Sequence, residues 1–387
     1  MLKCASAYTY EIDNYEVALA EIKAQLDKKI TLLKNSVGVI MCHPEFVASG
    51  VLRYICENLP FDVAGTTTAS QSVNDGAGEL MLTVFVMTAD DVWFKAGITD
   101  EFVDDLDAPI KAAYEKAAKD EPDLPKLALL FPPFLMSRYA GNAYVEVWKK
   151  IIPGTPLFGM AAMDDTITFN ECRTICNSEN KQEAMSFILC YGNINPRFLI
   201  ATLPPNPSMS LCAEVTKSKD GLVYEINHMT AREFFKDTGI PESMITVPFM
   251  IDFKKRNDYD NIPVVYANVA FTEDGAAVFY GYVDEGSTIS VASSLPDDIL
   301  STSLREIHRI NDLQDVNGVL LFPCIIRRMV LLGINEPLLE LKLAKDNINP
   351  DIPFMMSYAG GEICPTSVIS GVPVNRFHNY SLVILVV

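Results

Sequence analysis

Apolar and polar positions follow a pattern along the chain that occurs about three times. Each copy opens with a short, continuous apolar run, which is typical of a strand buried on both faces. The second and third runs match at five of six positions, counting Ala and Val as equivalent, since Ala128-Leu-Leu-Phe-Pro-Pro133 parallels Val319-Leu-Leu-Phe-Pro-Cys324. The pattern therefore predicts an internal repeat that begins at residues 37, 127 and 319.

Each copy continues with a helix and then further strands. An additional helix precedes the first copy, because apolar residues recur at steps of three or four from Tyr15 to Leu33, with Asp13 or Asn14 as its N-cap. The helices that follow the opening strands are predicted at 46–59, 143–152 and 336–343. The later strands are predicted at 61–68, 80–88, 157–163, 185–191, 354–359 and 382–387.

A proline-rich segment divides the chain. Residues 195–208 contain four prolines, which favours an extended connection. We therefore predict two domains, residues 1–200 and 201–387. The fold class is mixed α/β, with repeated strand–helix–strand–strand units that form mixed sheets flanked by helices. Between the connection and the third copy, further strands are predicted at 213–216, 222–226, 264–269, 276–282 and 287–292, with helices at 230–238 and 297–310.

Composition and charge exclude several classes of protein. Hydrophobic residues make up 49% of the 387 residues and charged residues 21%, which excludes wholesale disorder. The formal net charge of −19 disfavours nucleic-acid binding and anionic membrane surfaces. No targeting segment and no apolar run of membrane-spanning length is present in the sequence. The chain has nine cysteines, an odd number, and several of them lie in apolar runs, which indicates a reduced, cytoplasmic protein.

The common motifs of cofactor and metal chemistry are absent from the sequence. No GxGxxG, Walker A, HExxH, GxSxG or CxxC pattern occurs. Cys172 and Cys176 lie four residues apart, but no second Cys/His pair follows at zinc spacing. We therefore expect neither a metal nor a cofactor.

Candidate site residues cluster in the loops that follow the predicted strands, where α/β proteins collect ligands. Each loop alone is compatible with a simple tight turn, but their convergence would form a concave polar site for a small zwitterionic molecule. The candidates are Gly65, Thr66, Thr67, Gly159, Asp164, Asp165, Cys324, Arg327, Tyr358, Gly361, Glu362, His378 and Asn379.

Two of these candidates allow a purely structural interpretation as well. Cys324 closes an apolar strand, as a core thiol would. Arg327 lies among apolar residues, and a buried arginine needs either an acidic partner or an anionic ligand. An internal salt bridge to a residue such as Glu362 and the capture of a ligand carboxylate both remain open.

The order of these motifs resembles the FIST family (F-box and intracellular signal transduction). Gly318 to Arg327 resembles the G-x-L-x-F-x-C-x-x-R segment of the FIST C-terminal domain, Gly361-Glu-Ile363 its GEI motif and Phe377-His-Asn379 its FHN motif. In the N-terminal domain, Ala64 to Thr67 and Gly159 to Asp165 resemble its two glycine loops. The resemblance covers residues 35–387.

This resemblance implies a sensory, ligand-binding module of bacterial signalling rather than an enzyme. Its expected ligands are small molecules such as amino acids, with Arg327 on the carboxylate and Glu362 or Asp164 on the amino group. Family members are often joined to an output domain, for which no length remains after both FIST halves. We therefore expect a stand-alone sensor that passes its signal to a partner protein.

Two other functions remain open at this stage. A cysteine-dependent hydrolase or transferase would use Cys324 with His378 and with Glu362 as the orienting acid. A protein-binding scaffold would have no small ligand at all.

Overall fold

Three copies of one βαβαβ arrangement with a β-hairpin build most of the protein. The structure is a computed structural model, and it describes residues 2–135, 138–166, 169–209, 211–241, 246–253, 260 and 262–387. We call the three copies unit 1 (residues 3–89), unit 2 (residues 92–192) and unit 3 (residues 197–386). The predicted internal repeat and the mixed α/β fold class are both confirmed.

Unit 1 has the simplest sequence of elements. These are β1 (Lys3–Thr9), α1 (Tyr15–Lys29), β2 (Asn35–Cys42), α2 (Glu45–Ala48), α3 (Val51–Asn58), β3 (Asp62–Thr67), β4 (Gln71–Val73), β5 (Gly76–Gly78) and β6 (Leu82–Ala89). Asn14 is the N-cap of α1, and its side chain accepts a hydrogen bond from the backbone N–H of Val17. The single helix predicted at 46–59 is two helices, because Gly50 adopts a φ of +86° between them.

Unit 2 repeats this order. Its elements are β7 (Val92–Ile98), α4 (Asp107–Ala117), β8 (Leu127–Phe131), α5 (Asn142–Ile151), β9 (Leu157–Met160), β10 (Thr174–Cys176), β11 (Glu179–Lys181) and β12 (Ser186–Gly192).

Unit 3 begins inside the proline-rich segment and carries an insertion. Its first strand, β13 (Arg197–Ala201), occupies part of what was predicted as an extended connection. The insertion consists of β14 (Ala213–Lys219), β15 (Leu222–Ile226), β16 (Met229–Thr230), α6 (Ala231–Asp237), β17 (Val247–Asp252), β18 (Val264–Phe271), β19 (Ala277–Phe279) and β20 (Thr288–Val291). Its seven strands form one sheet, which we call the inserted sheet.

After the insertion, unit 3 returns to the common order. Its remaining elements are α7 (Pro296–Asp312), β21 (Val319–Pro323), α8 (Ile325–Leu332), α9 (Leu339–Asn347), β22 (Phe354–Ser357), β23 (Glu362–Ile369), β24 (Val372–His378) and β25 (Leu382–Val386).

The units exchange their hairpins in a cycle. Each has its own six-stranded sheet, ordered β1-β6-β2-β3-β10-β11 for sheet 1, β7-β12-β8-β9-β23-β24 for sheet 2 and β13-β25-β21-β22-β4-β5 for sheet 3. The last two strands of every sheet come from a different unit, so that unit 1 completes sheet 3, unit 2 completes sheet 1 and unit 3 completes sheet 2. Strands before and after residue 200 therefore share sheets 2 and 3.

The apolar core follows from the two-residue period of the strands. One face of each sheet points to a central cluster that includes Val39, Leu129 and Leu320. The opposite faces pack against the helices: Ile40 against α1 to α3, and Leu321 against α7 to α9. Sheet 2 is covered by α4 and α5 and also by the inserted sheet, through one shared cluster.

Two glycines occupy equivalent positions in units 1 and 2, where the neighbouring strand leaves no room for a side chain. Gly65 on β3 pairs with Ile40, and Gly159 on β9 pairs with Leu130. A Cβ atom at either glycine would overlap the carbonyl oxygen of its partner. The equivalent residue of unit 3 is Met356, which pairs with Leu321 and is accommodated there.

Candidate functional site

The three loops that follow the parallel strands lie against one another. The Met163 N–H donates to the carbonyl oxygen of Thr67 at 3.0 Å, and the Ala161 N–H donates to Gly361 at 2.9 Å. The Thr68 hydroxyl donates to the carbonyl oxygen of Tyr358 at 2.7 Å. Loops from all three units thus bond directly to one another.

An equivalent backbone hydrogen bond closes the corner of each unit. Its donors are Thr68, Ala162 and Ala359, and its acceptors are the carbonyl oxygens of Cys42, Pro132 and Pro323, at 2.8–2.9 Å. This equivalence makes His43, Pro133 and Cys324 counterparts, one residue beyond each acceptor. The corner residues can therefore be compared position by position.

A cavity of about 170 Å³ opens at the corner of unit 3. Cys324 of the C-x-x-R motif and Asn379 of the FHN motif contribute to its wall. Gly360, which directly precedes the GEI motif, also lines it. The remaining described lining residues come from the loops of unit 2, from the inserted sheet and from α8: Phe134, Phe169, Thr246, Val269, Tyr280, Ile325, Ile326 and Met329. None of these described residues is a lysine or an arginine.

Cys324 is the N-cap residue of α8, and its thiol lies beside Glu362. Burial raises the pKa of this thiol well above its usual value, and the nearby Glu362 carboxyl raises it further. The Ile326 N–H, at the first turn of α8, acts in the opposite direction. Because burial is the largest of these effects, Cys324 is a neutral thiol at neutral pH.

Glu362 is the first residue of β23 and is completely buried. Burial raises the pKa of its carboxyl well above the ordinary value, although the Cys324 thiol, Arg327 and the Ser381 N–H lower it in part. None of these groups meets hydrogen-bond geometry, and neither carboxyl oxygen has a hydrogen-bond partner among the described residues. Glu362 is therefore a buried acid that the described part of the chain does not satisfy.

Arg327 is also completely buried, and its partners are within the protein. Its guanidinium donates to Glu340 Oε1 from Nε at 2.9 Å and from Nη2 at 2.7 Å. It also donates to the carbonyl oxygens of Tyr380 and Ile299 and to the Ser303 hydroxyl. Of the two interpretations left open, the internal salt bridge is the one observed, with Glu340 in place of Glu362.

Tyr358 completes this buried network. Its hydroxyl donates to Glu340 Oε2 at 3.0 Å, and burial raises its pKa, as does the adjacent Glu340 carboxylate. Ser303 donates to Glu340 Oε1 at 2.6 Å. The Glu340 carboxylate thus holds α7, α8 and the β22 corner together.

His378 and Asn379 lie at the end of the exchanged hairpin of unit 3 and have different surroundings. His378 lies across from Glu362 in the β23–β24 register, and its Nε2 is 3.0 Å from the carbonyl oxygen of Cys364. Burial lowers the pKa of His378 to about 4, so the ring is neutral at neutral pH. Asn379 lines the cavity, and its side-chain amide donates to the His378 carbonyl oxygen.

The N-terminal candidates form structural contacts at the other two corners. The Thr66 hydroxyl donates to the Arg173 carbonyl oxygen, and the Thr67 hydroxyl accepts from the Arg173 N–H, which docks the unit 2 hairpin on sheet 1. Asp164 accepts from Thr166 and from the Glu171 N–H within its own loop. An Asp165 carboxylate oxygen lies 3.2 Å from His43 Nε2, at the corner of unit 1.

Several residues of the cavity escaped the sequence analysis. The ring centroids of Phe134 and Phe169 lie 4.6 Å apart in a tilted arrangement, and the Phe134 ring lies 6.0 Å from that of Tyr280 in an edge-to-face arrangement, so three aromatic rings share one wall. These residues lie in connections without periodic pattern, and no motif distinguished them. Glu340 was likewise missed, because a lone acidic residue on a helix resembles a solvated one.

Other site chemistries find no support in the described residues. No group of three or more His, Cys, Asp or Glu side chains there could hold a metal ion. Within the same residues, no helix is both long and apolar enough to cross a membrane. All nine cysteines are described, and each is a free thiol.

Comparison with known proteins identifies two family models along the chain. The FIST N domain matches residues 36–229, and the FIST C domain matches residues 231–365. A comparison with curated proteins finds no match. FIST domains are sensory domains of signal transduction. The two matches together cover most of the 387 residues, and the chain belongs to the FIST family.

Proposed function

We propose that this protein is a cytoplasmic sensor that binds a small metabolite in the unit 3 cavity and passes the signal to a partner protein. The observation that carries the proposal is the cavity itself, because residues of the FIST C-terminal motifs line it. Its enclosed, largely apolar wall with a few polar groups is the usual form of a small-molecule site. Nine free thiols support a reducing compartment.

The geometry also suggests how binding would reach a partner. The cavity lies where the inserted sheet meets unit 3, so a ligand there would contact Tyr280 on one side and α8 on the other. Met329, Leu332 and Ile334 form an apolar and partly exposed surface on and after α8, adjacent to the cavity. A change in the cavity would therefore be felt at a surface suited to a protein partner.

A thermal-shift screen of metabolites, with amino acids included, tests the ligand site, since a ligand that binds only the folded state raises the melting temperature. Met329→Trp should fill the mouth of the cavity and abolish the shift. Leu332→Trp is the matched control, because Leu332 is similarly exposed on the same helix and does not line the cavity. A shift that survives Met329→Trp would place the ligand elsewhere, and a screen without any shift would contradict the proposal.

The cysteine-enzyme alternative has one observation in its favour, the position of Cys324 at the N-terminus of α8 beside an acid. The raised pKa of the thiol and the bond from His378 to the Cys364 carbonyl favour the sensor instead. Alkylation followed by mass spectrometry distinguishes the two. In the native protein at pH 7 we expect fast modification of the exposed Cys212 and protection of Cys324. Rapid modification of Cys324 would favour the enzyme.

The scaffold alternative differs only in having no ligand. Pull-down with and without a metabolite from the screen separates it from the sensor, because a scaffold would capture the same partners under both conditions.

A further inference from the structure

One buried acid beside the cavity has no described partner that would compensate its charge once it ionises. Arg327 and Glu340 form a buried pair that is neutral as a whole. Glu362 is the remaining acid of this cluster, and neither of its oxygens has a hydrogen-bond partner in the described chain. A buried carboxylate is stable only with a counter-charge or several hydrogen bonds. We propose, resting on the proposed function above, that the cavity binds a small apolar amine in its protonated form, with Glu362 as the counter-charge.

The wall of the cavity suits such a ligand. The rings of Phe134, Phe169 and Tyr280 lie together on one side, and aromatic faces attract organic cations. The apolar side chains of Ile325 and Ile326 would contact the hydrocarbon part of the ligand. The net charge of −19 raises the local concentration of cations around the whole protein.

A free carboxylate on the ligand would find no counter-charge among the described residues of the cavity wall. The described lining residues include no lysine or arginine, and Arg327 already donates to four acceptor groups of the protein. Because the described lining residues provide no free cation, this ligand class differs from the amino acids that the family resemblance implies. An amino acid would bring one negative charge that the described wall of the cavity leaves unpaired.

None of the described groups that face Glu362 would compensate its charge if it ionised. Cys324, where β21 meets α8, is a neutral thiol, and His378 on β24 is a neutral ring. Arg327 on α8 is paired with Glu340 on α9, and the Ser381 backbone before β25 contributes only an N–H. A ligand cation that reaches Glu362 past the Cys324 thiol would complete the cluster.

Binding would then be linked to a proton. In the free protein, burial raises the pKa of the Glu362 carboxyl well above its ordinary value and so favours the protonated acid. An ammonium ligand stabilises the carboxylate, so the Glu362 proton leaves to solvent as the cation enters. Each amine bound should therefore release close to one proton, while a neutral ligand of the same shape should release none.

A matched series of probes tests this inference by calorimetric titration of the full chain at pH 7 in two buffers of different ionisation enthalpy. The probes are 3-methylbutylamine, its neutral analogue 3-methylbutan-1-ol and leucine, which is the same amine with a carboxylate. We expect the amine to bind at least about tenfold more tightly than the other two, a difference of about 1.4 kcal/mol, with release of one proton.

Glu362→Gln should remove the preference for the amine and the proton release, while binding of the alcohol is retained; the retained alcohol binding shows that the variant is folded. Equal binding of amine and alcohol, or an amine preference unchanged by Glu362→Gln, would overturn the amine proposal and leave the cavity site standing. If no probe binds but a screened metabolite does so in a Met329→Trp-sensitive way, only the amine class fails. If neither probes nor metabolites bind, the proposed function fails with it.

Discussion

The corners of unit 1 and unit 3 have the same backbone arrangement but carry different side chains at the start of the exchanged hairpin. Gln71 and Glu362 each open an exchanged hairpin and pair with the last residue of the neighbouring parallel strand, Ser357 and Met160 respectively. At the unit 1 corner the Gln71 amide donates to the Met81 carbonyl oxygen at 2.6 Å. Its oxygen accepts from the Thr83 hydroxyl. A neutral, satisfied amide in unit 1 thus corresponds to an ionisable, unsatisfied acid in unit 3.

Unit 2 supports the same comparison. Thr174 opens its hairpin, and its hydroxyl donates to the Ala184 carbonyl oxygen at 2.9 Å. Two corners therefore use neutral groups to close the sheet, which is what stability alone requires. The acid at the unit 3 corner lowers the stability of the fold and makes no hydrogen bond to the described residues in return. Residues that break a structural rule in this way are often found at functional sites.

The largest effect should come from breaking the charged network that only unit 3 has. Arg327→Ala would leave the Glu340 carboxylate buried and unpaired, so we expect a loss of about 3–5 kcal/mol in the free energy of unfolding. Urea denaturation measures this change. Arg53→Ala is the control, because Arg53 and its partner Glu57 are both exposed at the surface, and its loss should be far smaller. Equal losses of unfolding free energy in the two variants would show that the buried network contributes no more to stability than a surface ion pair.

The glycines test the repeat itself. Gly65→Ala should cost about 3 kcal/mol, because the new Cβ would meet the Ile40 carbonyl oxygen and force the two strands apart. Gly159→Ala should behave alike at the equivalent position of unit 2. Gly333→Ala, at the end of α8 with an ordinary φ of −59°, should change the stability by less than about 1 kcal/mol. If Gly65→Ala is as mild as this control, the close approach of β2 and β3 is wrong.

Placing the acid of unit 3 at the equivalent position of unit 1, as Gln71→Glu, should lower the free energy of unfolding by roughly 2 kcal/mol. Gln71→Glu replaces the amide that donates to Met81 with a buried group that, once ionised, can only accept. Thermal and urea unfolding at pH 7 measure the loss, and Gln71→Met is the apolar control. A Gln71→Glu protein as stable as the wild type would mean that these corners tolerate an unpaired acid without a functional reason.

The reverse change in unit 3, Glu362→Gln, should have an effect on stability that depends on pH. The folded pKa of Glu362 lies above its unfolded value, so between the two values only the folded state holds the proton. Wild-type stability therefore falls as pH rises through that window, by at most about 1.4 kcal/mol per unit. Glu362→Gln removes this dependence, so its stability relative to the wild type should increase from pH 5 to pH 8. A difference that is constant with pH would contradict the raised pKa.

The sequence predicts the repeat well because β2, β8 and β21 are continuous apolar runs, and each is followed by a helix and further strands in the same order. It does not predict the hairpin exchange, since β10 and β23 carry no information about which sheet they join. Helix α8 was missed because Ile325 to Leu332 is only eight residues long and mostly apolar, and a short apolar run of this length is compatible with a strand as well as with a helix.

The candidate site was predicted in part. The C-x-x-R, GEI and FHN motifs lead to Cys324, Glu362 and Asn379, which do lie at or next to the cavity. The motif residue Arg327 instead binds Glu340, which lies 13 positions along the chain, and spacing alone gives no partner for it. Loop residues such as Asp164 look equally polar in the sequence, and only the folded chain shows that their acceptors are already bonded.

The state of Glu362 in the ligand-free protein is the most direct test of the account. Infrared difference spectroscopy between the wild type and Glu362→Gln at pH 7 isolates the carboxyl signal of this residue. We predict the carbonyl band of a protonated carboxylic acid, which disappears in the variant and is replaced by carboxylate bands when the amine probe binds. Carboxylate bands in the ligand-free wild type would show that Glu362 is already ionised and compensated, and would contradict the claim that the unit 3 corner awaits a positive charge.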